Sequence, residues 1–102
     1  APVAVVALFA PGAAGRSVAG PGAAALARLA VAAAARRQGI GRRLVERCAS
    51  QARALDAEAI ALWSRPYQAD AHRLYESLGY RRVPDRDGKD RDGRRWVFRL
   101  DL

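Results

Sequence analysis

The chain of 102 residues has one cysteine, one histidine, no methionine, and a single lysine beside 17 arginines. A lone cysteine excludes a disulfide framework and any zinc site built from cysteines, and it fits a reducing, cytoplasmic compartment. With only one histidine beside it, no metal site is expected. Aromatic residues are equally scarce, at 7 %, while 24 residues are alanine, so the core is rich in helix formers and poor in buried area. No apolar run reaches the roughly 18 residues that a membrane-spanning helix needs. No charged start followed by an apolar stretch resembles a signal peptide. No acidic residue precedes Glu46. The chain starts at Ala1 and lacks methionine, which reads as a processed or truncated chain with a front part missing.

What is present is positive charge. A formal net charge of +8 permits a polyanionic partner, either nucleic acid or a phosphorylated cofactor, without choosing between them. The apolar fraction of 51 % excludes a disordered polyelectrolyte. The length suits a single domain over residues 1–102.

Val3 to Phe9 reads as a short strand. Ala10 to Gly22, punctuated by glycine and proline, reads as a loop. Leu26 to Val31 alternates like a strand, and Ala32 to Ala35 reads as a connector. From Ile40, apolar residues at Leu44, Val45, Cys48, Ala49, Ala52 and Leu55 mark one stripe of a helix, with Arg42, Arg43, Arg47 and Arg53 on the other face. Ala59 to Trp63 reads as a buried strand stopped by Pro66. Ala71, Leu74, Tyr75 and Leu78 define a second helix from about Gln68, with Gly79 as its left-handed cap. Tyr80 to Val83 and Trp96 to Leu100 read as strands around a charged turn, Asp85 to Gly93. The expected fold class is therefore α+β, an α/β mixed sheet in the order β-β-α-β-α-β-β.

The most informative stretch is Arg36-Arg37-Gln38-Gly39-Ile40-Gly41, between a strand and a helix. A helix start exposes unpaired N–H groups and the positive end of the helix dipole. Glycine lets an anion approach the backbone, and Arg36, Arg37, Arg42 and Arg43 add charge. A plain glycine turn remains open on this spacing alone. The phosphate loop of NTPases is excluded because no G-K-[ST] follows, and the dinucleotide fingerprint because Leu44 stands where its third glycine belongs.

The pattern R-x-x-G-x-G at Arg36, Gly39 and Gly41, after L-A-V and before a helix, resembles the acyl-CoA motif of the GNAT acetyltransferase superfamily. A-H-R-L-Y-E-S-L-G-Y, from Ala71 to Tyr80, is similar to that family's A-x-x-L-Y-x-x-x-G-[FY] helix. The resemblance covers Leu26 to Val83. It implies an acyl-CoA acyltransferase fold lacking its N-terminal strand and helices. It implies that Leu29, Ala30 and Val31 offer backbone groups to the pantetheine arm of acetyl-CoA. It also implies that N–H groups from Gln38 through Gly39, Ile40 and Gly41 to Arg42 hold the pyrophosphate, with Arg36 and Arg37 adding charge. Tyr75 would protonate the departing thiolate, and the strands at 26–31 and 59–63 would splay apart. Gln68 stands where the family usually has asparagine and could donate and accept a hydrogen bond. The carboxylate base that many members carry is missing, with Ala24, Ala25 and Ala27 in its stretch.

Cys48 falls on the buried stripe and reads as packing. His72 is off the stripe and reads as solvated or capping. Trp63 and Trp96 read as core anchors. Asp85 to Asp92 lacks the spacing of a calcium loop and reads as a hairpin turn. The leading functional expectation is an N-acetyltransferase moving acetyl from acetyl-CoA to a primary amine acceptor. A non-catalytic acyl-CoA-binding or partner-binding module is the alternative, and a basic nucleic-acid binder comes third. An open sheet edge at Val3–Phe9 leads to the expectation of a homodimer or poor solubility.

Overall fold

The computed structural model describes residues 4–9, 22–31 and 39–102. Two strands lead, β1 (Ala4–Phe9) and β2 (Ala23–Val31), followed by helix α1 (Ile40–Ala54), strand β3 (Ala59–Ser64) and helix α2 (Ala69–Ser77). Two short strands, β4 (Arg81–Arg82) and β5 (Gly88–Asp90), and the longer β6 (Gly93–Asp101) close the chain, with a 3-10 turn at Pro84–Arg86. They form one mixed sheet in the order β1-β2-β3-β6-β4, and β5 pairs with β6.

The apolar periodicity of the sequence decides which faces are buried. On α1, Val45, Cys48, Ala49 and Ala52 point inward, as the steps of three and four require. Period-two alternation in β3 sends Ile60 and Leu62 toward the helices, where they join Val45, Tyr75, Tyr80 and Phe98 in the main core. Phe98, Ile60, Leu62, Val45 and Val97 are fully enclosed. Each contributes about 1.5–3 kcal/mol relative to exposure. The opposite parity places Ala23, Ala25, Ala59 and Ala61 in a second cluster on the other sheet face.

β2 begins at Ala23, three residues earlier than the Leu26 start expected from alternation. Ala23, Ala24 and Ala25 are held as strand by pairing with Ala59, Ile60 and Ala61, a tertiary constraint that outweighs the helix propensity of alanine. The charged turn expected at Asp85 to Gly93 contains the extra strand β5, whose Gly88 and Lys89 pair with Arg95 and Arg94. The expected connector at Ala32 to Ala35 lies outside the described residues, as does the expected loop from Ala10 as far as Pro21.

α2 ends as expected at Gly79, whose φ is +94°. The Gly79 N–H donates to the Glu76 carbonyl at 3.0 Å and the Tyr80 N–H to the Tyr75 carbonyl at 3.0 Å. This is the Schellman pairing, and its hydrophobic contact is supplied by the rings of Tyr75 and Tyr80, 6.0 Å apart. α1 ends the same way with Asp56 in the left-handed position, at φ 58°. The Ala57 N–H reaches Ala52 O and the Asp56 N–H reaches Arg53 O, both at 3.0 Å.

Candidate active site

The sheet opens between its two central strands. Among the described residues, β2 and β3 pair in parallel only from Ala23 to Ala25 and Ala59 to Ala61. Beyond that point β2 continues against β1 as far as Val31, while β3 continues against β6 as far as Ser64. The edge of β2 from Leu26 to Val31 that faces β3 is therefore unpaired by it. The β1–β2 register contains the bend: Val5 pairs with Ala30 and Ala7 with Ala27, so β2 carries one extra residue there. A bulge of this kind bends the strand that holds the extra residue. Leu29, Ala30 and Val31 lie on this diverging stretch, as the resemblance implies.

The second component is the start of α1. Gly39 is its N-cap, with φ 75° and ψ 8°, and among the described residues no side chain caps the helix. A Cβ at Gly39 would meet nothing within 4 Å, so the glycine answers to the left-handed backbone rather than to crowding. The first turn contains no acid. Its leading N–H groups, through Ile40 and Gly41 to Arg42, have no carbonyl one turn earlier in the helix and lie at the positive end of the dipole. Arg42 donates from Nη1 to Ser77 Oγ at 3.0 Å, tying the first turn of α1 to the end of α2. Its Nε lies 3.9 Å from Glu46. Arg43 folds back on the turn, Nε to the Gly39 carbonyl at 3.4 Å. Arg36, Arg37 and Gln38, the first half of the expected cradle, lie outside the described residues.

Tyr75 sits on the inner face of α2, buried, with its ring 5.6 Å from Phe98. Burial holds its phenol above the ordinary value, so the group stays protonated at neutral pH. The Schellman turn fixes its backbone and Tyr80 braces its ring, so the side chain is preorganised.

Gln68 occupies the N-cap position of α2, but its side chain turns back to the preceding segment rather than capping the helix. Its Oε1 accepts two bonds, from Ser64 Oγ at 2.9 Å and from the Arg65 N–H at 2.7 Å. The oxygen is thus committed to the turn, and the amide presents only its N–H donors. The expectation that Gln68 both donates and accepts is narrowed accordingly. Ser64, the partner, is buried and was not singled out in the sequence. Its signal was there: a polar residue at the inward parity of Ile60 and Leu62.

Of the two roles expected for His72, solvated or capping, the structure does not show the solvated one. It is half-buried, stacked on Trp96 at 5.5 Å and beside Phe98 at 5.1 Å. Its Nε2 lies 3.0 Å from the Arg65 carbonyl, which can only accept, so Nε2 carries the proton. Trp63 and Trp96 are only half-buried and each supports a guanidinium, Arg65 at 4.6 Å and Arg82 at 4.5 Å. They are stacking platforms as much as core anchors. Cys48 is buried packing, and burial pushes its thiol up. Among the described residues, no group of three or more potential metal ligands occurs.

Two aspartates of the closing segment, Asp87 and Asp90, are paired. Asp87 receives both Arg82 nitrogens, at 2.7 and 2.6 Å, and the Val97 N–H at 2.8 Å. Arg82 is the chief reason its carboxyl stays below the usual range. Asp90 receives Arg65 at 3.0 Å on each oxygen. Among the described residues, no helix is long and apolar enough to cross a membrane.

Comparison with known proteins agrees with this arrangement. The acetyltransferase (GNAT) family pattern matches residues 1–80. The ribosomal-protein-S18-alanine N-acetyltransferase of Escherichia coli is similar at 29 % identity and a TM-score of 0.67, over 79 % of this chain and 55 % of that one. A Bacillus subtilis acetyltransferase solved in complex with CoA has 19 % identity and a TM-score of 0.77, over 98 % of this chain and 69 % of that one. A GCN5-related N-acetyltransferase from Kribbella flavida has 23 % identity and a TM-score of 0.77, over 98 % of this chain and 60 % of that one. The chain thus spans between about half and two-thirds of the length of these proteins. No curated protein matches it. A family pattern matched over most of the chain, together with a sheet that opens beside an uncapped helix start, means that this chain belongs to the GNAT acetyltransferase family.

Proposed function

We propose that the protein is an N-acetyltransferase that moves acetyl from acetyl-CoA to a primary amine. The observation that carries this reading is the parting of β2 from β3 beside the uncapped start of α1. Acetyl-CoA supplies the activated acyl group. The free edge of β2 from Leu29 to Val31 takes the pantetheine amides in the manner of an added strand. The N–H groups at Gly39 to Arg42 take the pyrophosphate, where fixed dipoles need no reorganisation. Arg36, Arg37 and Gln38 belong to the same cradle in this reading. The Gln68 amide, with its oxygen engaged, donates. Tyr75 gives its phenolic proton to the departing sulfur as the new C–N bond forms and the C–S bond breaks, while the proton shed by the amine nitrogen passes to water, from which Tyr75 is reprotonated. Its elevated affinity for protons keeps it charged with one at pH 7. Catalysis is otherwise positioning of the two reactants.

One observation favours a second reading, a CoA-binding module without turnover. No carboxylate precedes Glu46 to take the proton of the amine. Isothermal calorimetry with CoA and thiol release with acetyl-CoA and a panel of amines separate the two. The first reading expects binding and turnover, with Tyr75→Phe lowering kcat by about a hundredfold or more. Binding without turnover of any amine establishes the second reading. No binding of CoA overturns both.

A further inference from the structure

The sheet face away from α1 and α2 holds a cation that its surroundings leave under-compensated. Trp63, Arg65 and Arg95 share that face, since Trp63 pairs with Val97 in register and alternates with the inward Leu62 and Ser64. The indole of Trp63 is flanked by two guanidinium groups, Arg65 at 4.6 Å and Arg95 at 5.8 Å. Arg65 is saturated. It holds Asp90 through both oxygens and donates to the carbonyls of Gly93 and Arg94, each at 3.2 Å. Arg95 is not. Among the described residues its Nε is enclosed without a hydrogen-bond partner, and the carboxylate oxygen paired with it, Asp90 Oδ2, lies 3.9 Å away. Both Asp90 oxygens already serve Arg65, and Oδ1 also receives the Asp92 N–H at 2.9 Å. The segment from Gly88 to Arg95, together with Arg65, contains five cations against two carboxylates.

Position gives this imbalance its meaning. Arg65 directly follows β3 and Arg95 lies one residue beyond the last β3–β6 pair, at the end of β3 that has left β2. Tyr75 and the start of α1 lie on the helix side of the same opening. In the acyltransferase reading, with the thioester on the helix side, the opposite face beside Trp63 and Arg95 is the one left to the acceptor. Positive charge there repels a polyamine or a lysine-rich tail and attracts an anion. A planar guanidinium beside an indole is matched to a carboxylate through its outer N–H groups.

We propose that Arg95 and Trp63 form an acceptor subsite for a carboxylate, so that the amines acetylated best are those bearing one. This inference rests on the acyltransferase reading. The test is steady-state thiol release by the whole protein with acetyl-CoA and three acceptors: β-alanine, its carboxamide, and spermidine. The wild-type protein is expected to prefer β-alanine over the carboxamide by about tenfold in kcat/KM, the scale of one charge-assisted contact, and to use spermidine worst. Arg95→Gln should bring that ratio close to one with KM for acetyl-CoA unchanged. Arg95→Lys, which keeps the cation, should retain most of the preference. A preference that survives Arg95→Gln, or spermidine as the best acceptor, overturns the subsite. So does a protein that binds CoA yet acetylates none of the three. A protein that binds no CoA fails at the earlier reading and takes the subsite with it.

Discussion

Replacing Tyr80 by phenylalanine removes one oxygen from the wall that braces Tyr75. Tyr80 is 3 % exposed, and among the described residues its hydroxyl is buried without a hydrogen-bond partner. Burial in this setting pushes its phenol far up, the sign of a group that cannot ionise in place. A hydroxyl buried unpaired costs about 1–3 kcal/mol in protein mutational data. Deleting the oxygen leaves a void of roughly 10 Å³, which returns only about 0.2 kcal/mol. The ring contact with Tyr75 and the two Schellman bonds remain, since neither uses the hydroxyl. The variant should therefore be more stable by about 1–2 kcal/mol. In a domain of this size each kcal/mol raises Tm by roughly 4–8 °C. Urea unfolding followed by tryptophan fluorescence measures it, with the m-value checked for constancy. A variant destabilised by about 0.5 kcal/mol or more would refute the reasoning, because it would mean that the hydroxyl is satisfied.

Three further outcomes follow from the geometry. Gly39→Ala forces a Cβ into a left-handed backbone and should cost about 1 kcal/mol, while Gly39→Asn costs less, as urea midpoints will show; equal stability of the alanine variant would mean the turn adopts another conformation. Asp87 has a carboxyl held below its usual range by Arg82, so its contribution is present above the unfolded value near pH 3.9 and lost as pH falls through the lower folded value. Asp87→Asn should flatten the acid limb of a stability–pH curve below about pH 4, and an unaltered limb would remove Asp87 from the account. Gln68→Glu keeps an oxygen for Ser64 Oγ and the Arg65 N–H but removes the donors, so stability should stay within about 0.5 kcal/mol while KM for acetyl-CoA rises about tenfold. An unchanged KM would leave Gln68 with a purely structural role in the turn after β3.

Sequence patterns carried the parts of this fold that depend on local physics. The apolar stripe of α1 from Val45 to Ala52, the cap at Gly79 and the glycine turn before Ile40 are periodicity and backbone signals, and each stands where those signals put it; Leu55, expected on the same stripe, is instead 51 % exposed because the helix ends at Ala54 and the chain turns away there. The early start of β2 was illegible because Ala23, Ala24 and Ala25 are strand only through their parallel partners in β3. The bulge in β2 depends on register with β1, which no single segment encodes. Ser64 and Gln68 form a bond four residues apart, yet its meaning required knowing that β3 ends there and α2 begins. His72 was off the stripe of its own helix, but Trp96 and Phe98, far along the chain, cover it. Asp56 took a left-handed cap position usually signalled by glycine, so the end of α1 had no composition mark.

Amide chemical shifts recorded while CoA is added test the central claim most directly. Both sides of the opening should respond together: the N–H signals of Leu26 to Val31 along the free edge of β2, and those of Gly39 to Arg42 at the start of α1. Saturable shifts at both places, with the β6–β4 edge quiet, are the predicted result. Saturable shifts confined to the β6–β4 edge, or none with CoA in large excess, would contradict it.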